Sequence, residues 1–311
     1  MNRLISLALP AIALASPSVA QDRMTLETCT QSLAAVEALA GLPDSTVEIT
    51  ANDEGWCLIE NRTVMLDGVQ GYTLASLRWR ASGVNRLIDD GLPPSSFEVI
   101  GEGLSISPNT GDPVLDYLMG LQSAAEQTGF GLSVRWDGVQ NAVFVDEAYF
   151  DFNPDNRIEF TARIDDVDLT DIATIQSSVG SMGLRDFSMK ADFAGWFESF
   201  VALPLGTQLL EREGTDPAAQ VTQLQEQSLT FLEEVPVAIL PQASRDNLAA
   251  FIQSLPTPRG ELRLQLSASP TLSAARMAPF ALMPSEPSME QIVDLGLEGV
   301  TLLFTWTPMG E

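Results

Sequence analysis

The sequence predicts an α+β fold with a curved, mostly antiparallel β-sheet built from repeated strand–short helix–strand units. Three stretches carry this pattern, at residues 72–106, 157–193 and 261–306. Between the second and third units, residues 194–258 have apolar side chains at helical spacing and predict a helical insertion. The fold class is therefore a sheet with packed helices, and the central unit at 157–193 shows the pattern most clearly.

Two runs of apolar side chains alternate with polar ones in the central unit. They are Ile158, Phe160, Ala162 and Ile164 in the first run, and Phe187, Met189, Ala191 and Phe193 in the second. Because successive side chains on a strand point to opposite faces, each run predicts a strand with one apolar and one polar face. Between the runs, Asp168 is expected to cap a short helix and Gly180 to end it.

The chain begins with the pattern of a secretory signal peptide at residues 1–20. Arg3 supplies positive charge, residues 4–15 are apolar but too short to span a bilayer, and Ser18-Val19-Ala20 resembles a cleavage site. The remaining chain has no apolar run of about 18 residues. These features predict an exported, periplasmic protein that does not span a membrane.

Helices are predicted at four further places by apolar spacing and by capping residues. They cover residues 25–40, 112–128, 216–234 and 244–255. Thr25 can cap the first of them, and Asp216-Pro217 has the cap-plus-proline order that favours a helix start. By contrast, the proline- and methionine-rich stretch 277–287 is expected to be irregular.

The predicted organisation has four parts. They are a signal peptide at 1–20, a β-rich domain with an N-terminal helix at 21–193, the helical insertion at 194–258, and C-terminal strands that complete the sheet at 259–311. The chain has two cysteines, Cys29 and Cys57, and no Cys-x-x-Cys pair of the kind used in redox catalysis. Since oxidising compartments favour pairing, we expect a structural disulfide between them.

The charge of the chain is strongly acidic, with 42 acidic residues against 16 basic ones. Nucleic acid and anionic lipid surfaces both attract positive charge, so this balance argues against either as a partner. An acidic surface that maintains solubility is the ordinary explanation, and specific cation binding is the alternative.

Histidine is absent from the sequence, which excludes Ser-His-Asp and Cys-His catalysis. The sequence also contains no Walker loop, no Gly-x-Ser-x-Gly and no Gly-x-Gly-x-x-Gly motif. Carboxylates are the only catalytic groups in quantity. We therefore expect a protein that is not an enzyme, with a carboxylate-based glycan hydrolase as the alternative.

The densest group of carboxylates follows the first strand of the central unit. It consists of Asp165, Asp166, Asp168 and Asp171. The ordinary interpretation is a capped, solvated corner between a strand and a helix. The alternative is a calcium site, since hard cations prefer carboxylate oxygens. No other cofactor is expected.

The apolar face of the central unit is the candidate ligand groove. Its predicted members are Ile158, Phe160, Ile164, Phe187, Met189 and Phe193. Packing of the inserted helices against the sheet would account for these side chains. The functional alternative is a groove for acyl chains, in which a pliable methionine suits varied ligands.

The order of signal peptide, amphipathic strands and strand–short helix–strand units ends in the strand Leu-Glu-Gly-Val-Thr-Leu-Leu-Phe-Thr-Trp at 297–306. This order resembles the AsmA-like and DUF2125-type proteins of the bacterial envelope, over residues 56–193 and 261–306. The resemblance implies a role in envelope and lipid homeostasis through a sheet with an apolar inner face. It favours a non-enzymatic protein that binds a lipid, another hydrophobic ligand or an envelope partner; a structural or adaptor protein is a further alternative.

Overall fold

The structure is a computed structural model that describes residues 23–41, 47–65, 70–108, 111–112, 114, 128–153, 155–210, 216–281, 291 and 296–310. Ten strands form one antiparallel sheet in which each strand pairs with the next along the chain. The strands are β1 Thr50–Ala51, β2 Cys57–Met65, β3 Gln70–Ser82, β4 Ser96–Pro108, β5 Thr128–Asp137, β6 Ala142–Asn153, β7 Asn156–Asp165, β8 Gly183–Phe193, β9 Gly260–Ser273 and β10 Val300–Pro308. The sheet is open, with β1 and β10 at its edges.

Seven α-helices and one π-helical turn lie within the described residues. They are α1 Leu26–Ala40, α2 Asn85–Asp90, α3 Ile172–Ser178, the π-helical turn Glu198–Ala202, α4 Leu203–Leu209, α5 Pro217–Glu234, α6 Gln242–Ser254 and α7 Ala274–Ala281. The predicted α+β class and the antiparallel sheet are confirmed. Short helices connect β3 to β4 and β7 to β8, and α7 follows β9 on the way to β10.

The first of two hydrophobic cores lies between α1 and the first strands. Cys29 of α1 and Cys57 of β2 are both fully buried there and form a disulfide with Cα atoms 5.5 Å apart, as predicted. Trp79 of β3 donates its indole N–H to the hydroxyl oxygen of Ser32 at 3.2 Å, which fixes the helix on the sheet. Thr25 caps α1 through a hydrogen bond from the Thr28 amide, so the predicted helix start is confirmed.

The apolar side chains of successive strands are in register and make one face of the sheet apolar. One row across five strands consists of Val145, Ala162, Phe187, Leu266 and Leu302, each opposite the next. Because strand side chains alternate between faces, the charged residues next to them lie on the opposite face. The alternation predicted for the central unit therefore extends over the C-terminal strands.

The second core covers the C-terminal end of this apolar face. Phe193 is buried there, with ring centroids 5.1 Å from Trp196, 5.7 Å from Phe251 and 6.0 Å from Trp306. Trp196 lies just before the π-helical turn and Phe251 on α6. The segment between β8 and β9 thus returns to pack on the sheet that it leaves.

Two local predictions were wrong. Asp168 does not cap α3, because its carboxylate accepts the amide of Thr170; Asp171 caps the helix and forms a capping box with Thr174. Residues 277–281 of the stretch expected to be irregular belong to α7, which contains Pro279. The helix predicted at 112–128 lies mainly outside the described residues, except that Thr128 already belongs to β5.

Among the residues that the structure describes, no helix combines the length and the apolar character needed to cross a membrane.

The division into a β-rich domain, an insertion and closing strands stays a prediction.

Candidate functional site

The six residues of the predicted ligand groove all lie on β7 and β8, but their surroundings differ. Ile158, Met189 and Phe193 belong to the second core or pack against it. Phe160, Phe187 and Ile164 are half-buried and belong to neither described core. The groove residues therefore divide into a part that joins the second core and a part that belongs to neither core.

The part outside both cores continues across the middle of the sheet. The rings of Phe160 and Phe187 lie 6.2 Å apart on neighbouring strands. Further half-buried apolar side chains on β5, β6 and β7 belong to neither described core, and they are Leu132, Val134, Val145, Ala148 and Ala162. This middle part of the apolar face is formed by neighbouring strands of the sheet, from β5 to β8.

A cavity of about 470 Å³ lies between α5, α6 and the last two strands. Its lining consists of Leu224, Gln227, Ser228, Phe231, Leu232, Val235, Leu240, Leu248, Ile252, Leu264, Leu302 and Phe304. All but two of these side chains are apolar, and Leu264 lies opposite Met189 of the predicted groove. The cavity therefore adjoins the apolar face of β8.

Sequence reasoning did not find this cavity. The apolar stripes of α5 and α6 are visible in the sequence at helical spacing, and they include Phe231 and Leu248. Which strands those stripes face depends on contacts between distant parts of the chain. Since no local pattern specifies such contacts, the sequence shows the apolar stripes but not the strands that they pack against.

A larger cleft of about 1060 Å³ lies at one end of the sheet, with charged side chains in its lining. Arg157 donates hydrogen bonds to Asp151 at 3.0 Å and to Glu159 at 2.6 Å, and it pairs with Glu147 at 3.2 Å. Burial alone would lower the pKa of the Arg157 guanidinium, but these carboxylates outweigh it and raise the pKa. One guanidinium group in this cleft is thus paired with three carboxylates.

Glu261 in the same cleft is also paired. A hydrogen bond from Arg263 is the main cause that lowers its pKa; burial opposes the shift, and Lys190 adds to the lowering. A glycosidase needs a carboxyl group that stays protonated as the acid. A lowered pKa, the opposite of what such an acid needs, is found at Asp137, Asp165, Asp168 and Glu261.

The acidic corner at 165–171 is built from local partners. Asp165 accepts hydrogen bonds from Arg163 at 2.7 Å and from Arg185 at 2.8 Å. Asp168 and Asp171 accept the backbone amides described above, whereas Asp166 is exposed. Within the described ranges, no group of three or more acidic or cysteine side chains is placed to hold a metal ion. The calcium site stays a prediction without structural support.

Aromatic rings on the charged face of the sheet lie under arginines. The guanidinium carbon of Arg135 is 3.8 Å from the ring centroid of Phe144, and that of Arg157 is 4.0 Å from the centroid of Tyr149. Such cation–π contacts cover the rings with charge. These two rings are therefore shielded by charged groups on this face of the sheet.

Comparison with models of known protein families gives no match, and a search of curated proteins finds no similar sequence either. The geometry of the apolar face and its cavity therefore carries the functional argument.

Proposed function

We propose that the protein binds a lipid or another hydrophobic ligand on the apolar face of its sheet and releases it chemically unchanged. The observation that carries this proposal is the cavity of about 470 Å³ between α5, α6 and the sheet. Ligand pockets are commonly about 300–1,000 Å³ in volume, with mainly apolar linings and few polar groups. Burial of an acyl chain in such a lining is favourable because apolar surface leaves water.

The middle part of the apolar face supports the proposal independently of the cavity. Phe160 and Phe187 are half-buried and lie outside both described cores. A ligand chain that leaves the cavity past Leu264 would meet Met189 directly and then these two rings. The predicted groove and the cavity thus serve as parts of one elongated site.

The proposed location is the bacterial periplasm. The signal-peptide pattern at 1–20 supports export, and the Cys29–Cys57 disulfide is compatible with an oxidising compartment. We also retain the resemblance to AsmA-like envelope proteins as part of the proposal. We also propose that the sheet is curved and is built from repeated units. The short helices after β3 and β7 support the repeat.

The other candidate functions have weaker support. A glycan hydrolase would need a protonated carboxyl group, and the charged cleft instead contains carboxylates paired with Arg157. A purely structural or adaptor protein would present an exposed apolar patch without a pocket. The cavity beside α6 favours ligand binding over that role.

The test is extraction of the purified protein with organic solvent, followed by mass spectrometry of the released lipids. Two adjacent leucines on β10 provide a matched pair of variants, because Leu302 lines the cavity and Leu303 is 45% exposed on the opposite face. Leu302→Trp fills the cavity and should reduce the lipid recovered per protein, whereas Leu303→Trp should not.

Circular dichroism would confirm that both variants fold. Folded wild-type protein that carries no lipid and binds no added fatty acid or phospholipid would refute the proposal. Equal lipid recovery from the two folded variants would show that the ligand does not occupy the cavity. The cavity would then no longer support the proposal.

A further inference from the structure

Arg245 of α6 lies close to residues that line the apolar cavity, although its own side chain is not part of the lining. Leu248 and Ile252 line the cavity and follow Arg245 by three and seven residues, a spacing that places all three on one side of the helix. The Arg245 Nη2 atom donates a hydrogen bond to the backbone carbonyl of Val235, which is another lining residue. The guanidinium group is thus held beside Val235, next to the lining of the cavity.

The positive charge of Arg245 has no carboxylate partner in the described part of the chain. None of the ion pairs among the described residues includes it, although the chain carries 42 acidic residues against 16 basic ones. Its Nε atom is buried and has no hydrogen-bond partner there. A buried donor without an acceptor is unfavourable, so this group has hydrogen-bonding capacity that a ligand could satisfy.

The lining of the cavity contains no charged side chain of its own. Gln227 and Ser228 are its polar members, and the remaining lining side chains are apolar. An apolar lining alone is sufficient to bind a neutral lipid chain. An unpaired cation beside that lining would in addition bind the head group of an anionic amphiphile. A guanidinium group binds carboxylates through two parallel hydrogen bonds, for which its planar fork is suited.

We propose that Arg245 binds the carboxylate of a long-chain fatty acid whose hydrocarbon chain occupies the cavity, an inference that rests on the proposed function. The Nε–H of Arg245 then gains an acceptor, and the ligand charge is neutralised where the net charge of −26 would otherwise repel it. The carboxylate replaces or joins the single carbonyl of Val235 as a partner of the guanidinium group. Because Nε is buried and Arg245 is not part of the lining, this contact requires the arginine side chain to rotate toward the cavity.

The test compares hexadecanoate with hexadecanol, which has the same chain length and no charge, by calorimetric titration of the full mature chain. We expect the wild-type protein to bind hexadecanoate about tenfold or more tightly than the alcohol, because hydrogen bonds to charged groups are worth more than neutral ones. Arg245→Met should lose this preference and keep its affinity for hexadecanol. Arg245→Lys, which retains the charge, should keep part of it.

Arg263→Met is the matched control. Arg263 lies on β9 beside the lining residue Leu264, but it is exposed on the charged face. Its removal changes the net charge of the protein as Arg245→Met does and should leave the preference unchanged. Equal thermal melting of the variants would show that folding is not the cause.

The remaining outcomes separate this inference from the proposed function. If folded wild-type protein binds hexadecanoate and hexadecanol equally, or if Arg245→Met keeps the preference, the role of Arg245 is refuted and hydrophobic ligand binding stands. If hexadecyl phosphate binds more tightly than hexadecanoate and Arg245→Met abolishes that binding, the carboxylate assignment is refuted in favour of a phosphate head. If no amphiphile binds, both proposals fail.

Discussion

The backbone N–H of Phe304 donates a hydrogen bond to the hydroxyl oxygen of Ser244 at 3.0 Å, across a separation of 60 residues. The N–H groups of Leu302 and Trp306 are bonded in the same way, to the Ile239 carbonyl at 2.7 Å and to the Asn247 side chain at 3.2 Å. Residues 239–247 therefore occupy the place of a further strand beside β10. An open strand edge can recruit other chains, and this segment satisfies three of the N–H groups at the β10 edge.

Ser244→Ala should destabilise the protein by about 1–3 kcal/mol, because it leaves the buried N–H of Phe304 without an acceptor. Urea unfolding would measure the change. Ser177→Ala is the control, since the Ser177 hydroxyl makes its hydrogen bond on an exposed helix surface and its loss should matter little. Equal stability of the two variants would show that the edge does not depend on the Ser244 hydroxyl.

Reduction of the Cys29–Cys57 disulfide should lower the free energy of unfolding by about 3 kcal/mol, because the link closes a loop of 28 residues in the unfolded chain. Guanidinium unfolding with and without reductant would measure the loss. Both cysteines are fully buried, so we expect the folded protein to resist reduction until it is partly unfolded. Reductant should have no effect on the double variant Cys29→Ala/Cys57→Ala.

Unchanged unfolding of the wild-type chain, with two free thiols measured by a thiol reagent, would contradict the stabilising role of the disulfide.

Aromatic rings lie over two glycines of the sheet. A Cβ atom at Gly101 would overlap the ring of its cross-strand partner Phe130, and one at Gly131 would overlap the ring of Tyr149. Alanine at either position must displace a ring, so we expect a destabilisation of about 1–3 kcal/mol. Gly180→Ala is the control, because no atom lies within 4 Å of its added Cβ.

Thermal unfolding would measure these three variants. A melting temperature for Gly131→Ala equal to that of Gly180→Ala would show that the Tyr149 ring moves aside without loss.

The sequence predicts well whatever its local pattern determines. The alternation at 158–164 specifies a strand and its apolar face, and Thr25 specifies a helix start, because each signal depends on neighbours within a few residues. Asp168 and Asp171 are equivalent in type, and the choice of cap depends on Thr174, which completes the capping box of the second. The predicted cap of α3 was wrong because Asp168 also has a side chain suited to capping and precedes Asp171 in the sequence.

The candidate site depends on contacts that no local pattern contains. The stripe on α6 is visible in the sequence, but its position over β10 depends on bonds such as that from Phe304 to Ser244. The unpaired Nε of Arg245 is likewise a property of the folded surroundings, since nothing in the sequence distinguishes this arginine from the others. The apolar face was therefore predictable from the sequence, whereas the cavity and the unpaired Nε atom of Arg245 were not.

The ionised carboxylate of Asp165 makes the stability of the protein depend on pH. Burial alone would raise the pKa of this carboxyl group, but hydrogen bonds from Arg163 and Arg185 outweigh it and hold the pKa below the ordinary value of 3.8. A folded-state pKa below the unfolded value means that the ionised group stabilises the fold. That contribution is fully present above the unfolded pKa and is lost as the pH falls through the lower, folded-state pKa.

Asp165→Asn should therefore cost about 1–3 kcal/mol near neutral pH, because two guanidinium groups lose a charged acceptor. Urea unfolding at several pH values would show a constant gap to the wild-type protein from about pH 7 to about pH 5, and a narrowing gap below about pH 4. Asp186→Asn on the exposed surface of β8 is the control and should show little difference at any pH. A gap for Asp165→Asn that stays constant or widens on acidification would contradict the assigned ion pairs, because protonation of the wild-type carboxyl group removes the same interaction as the substitution.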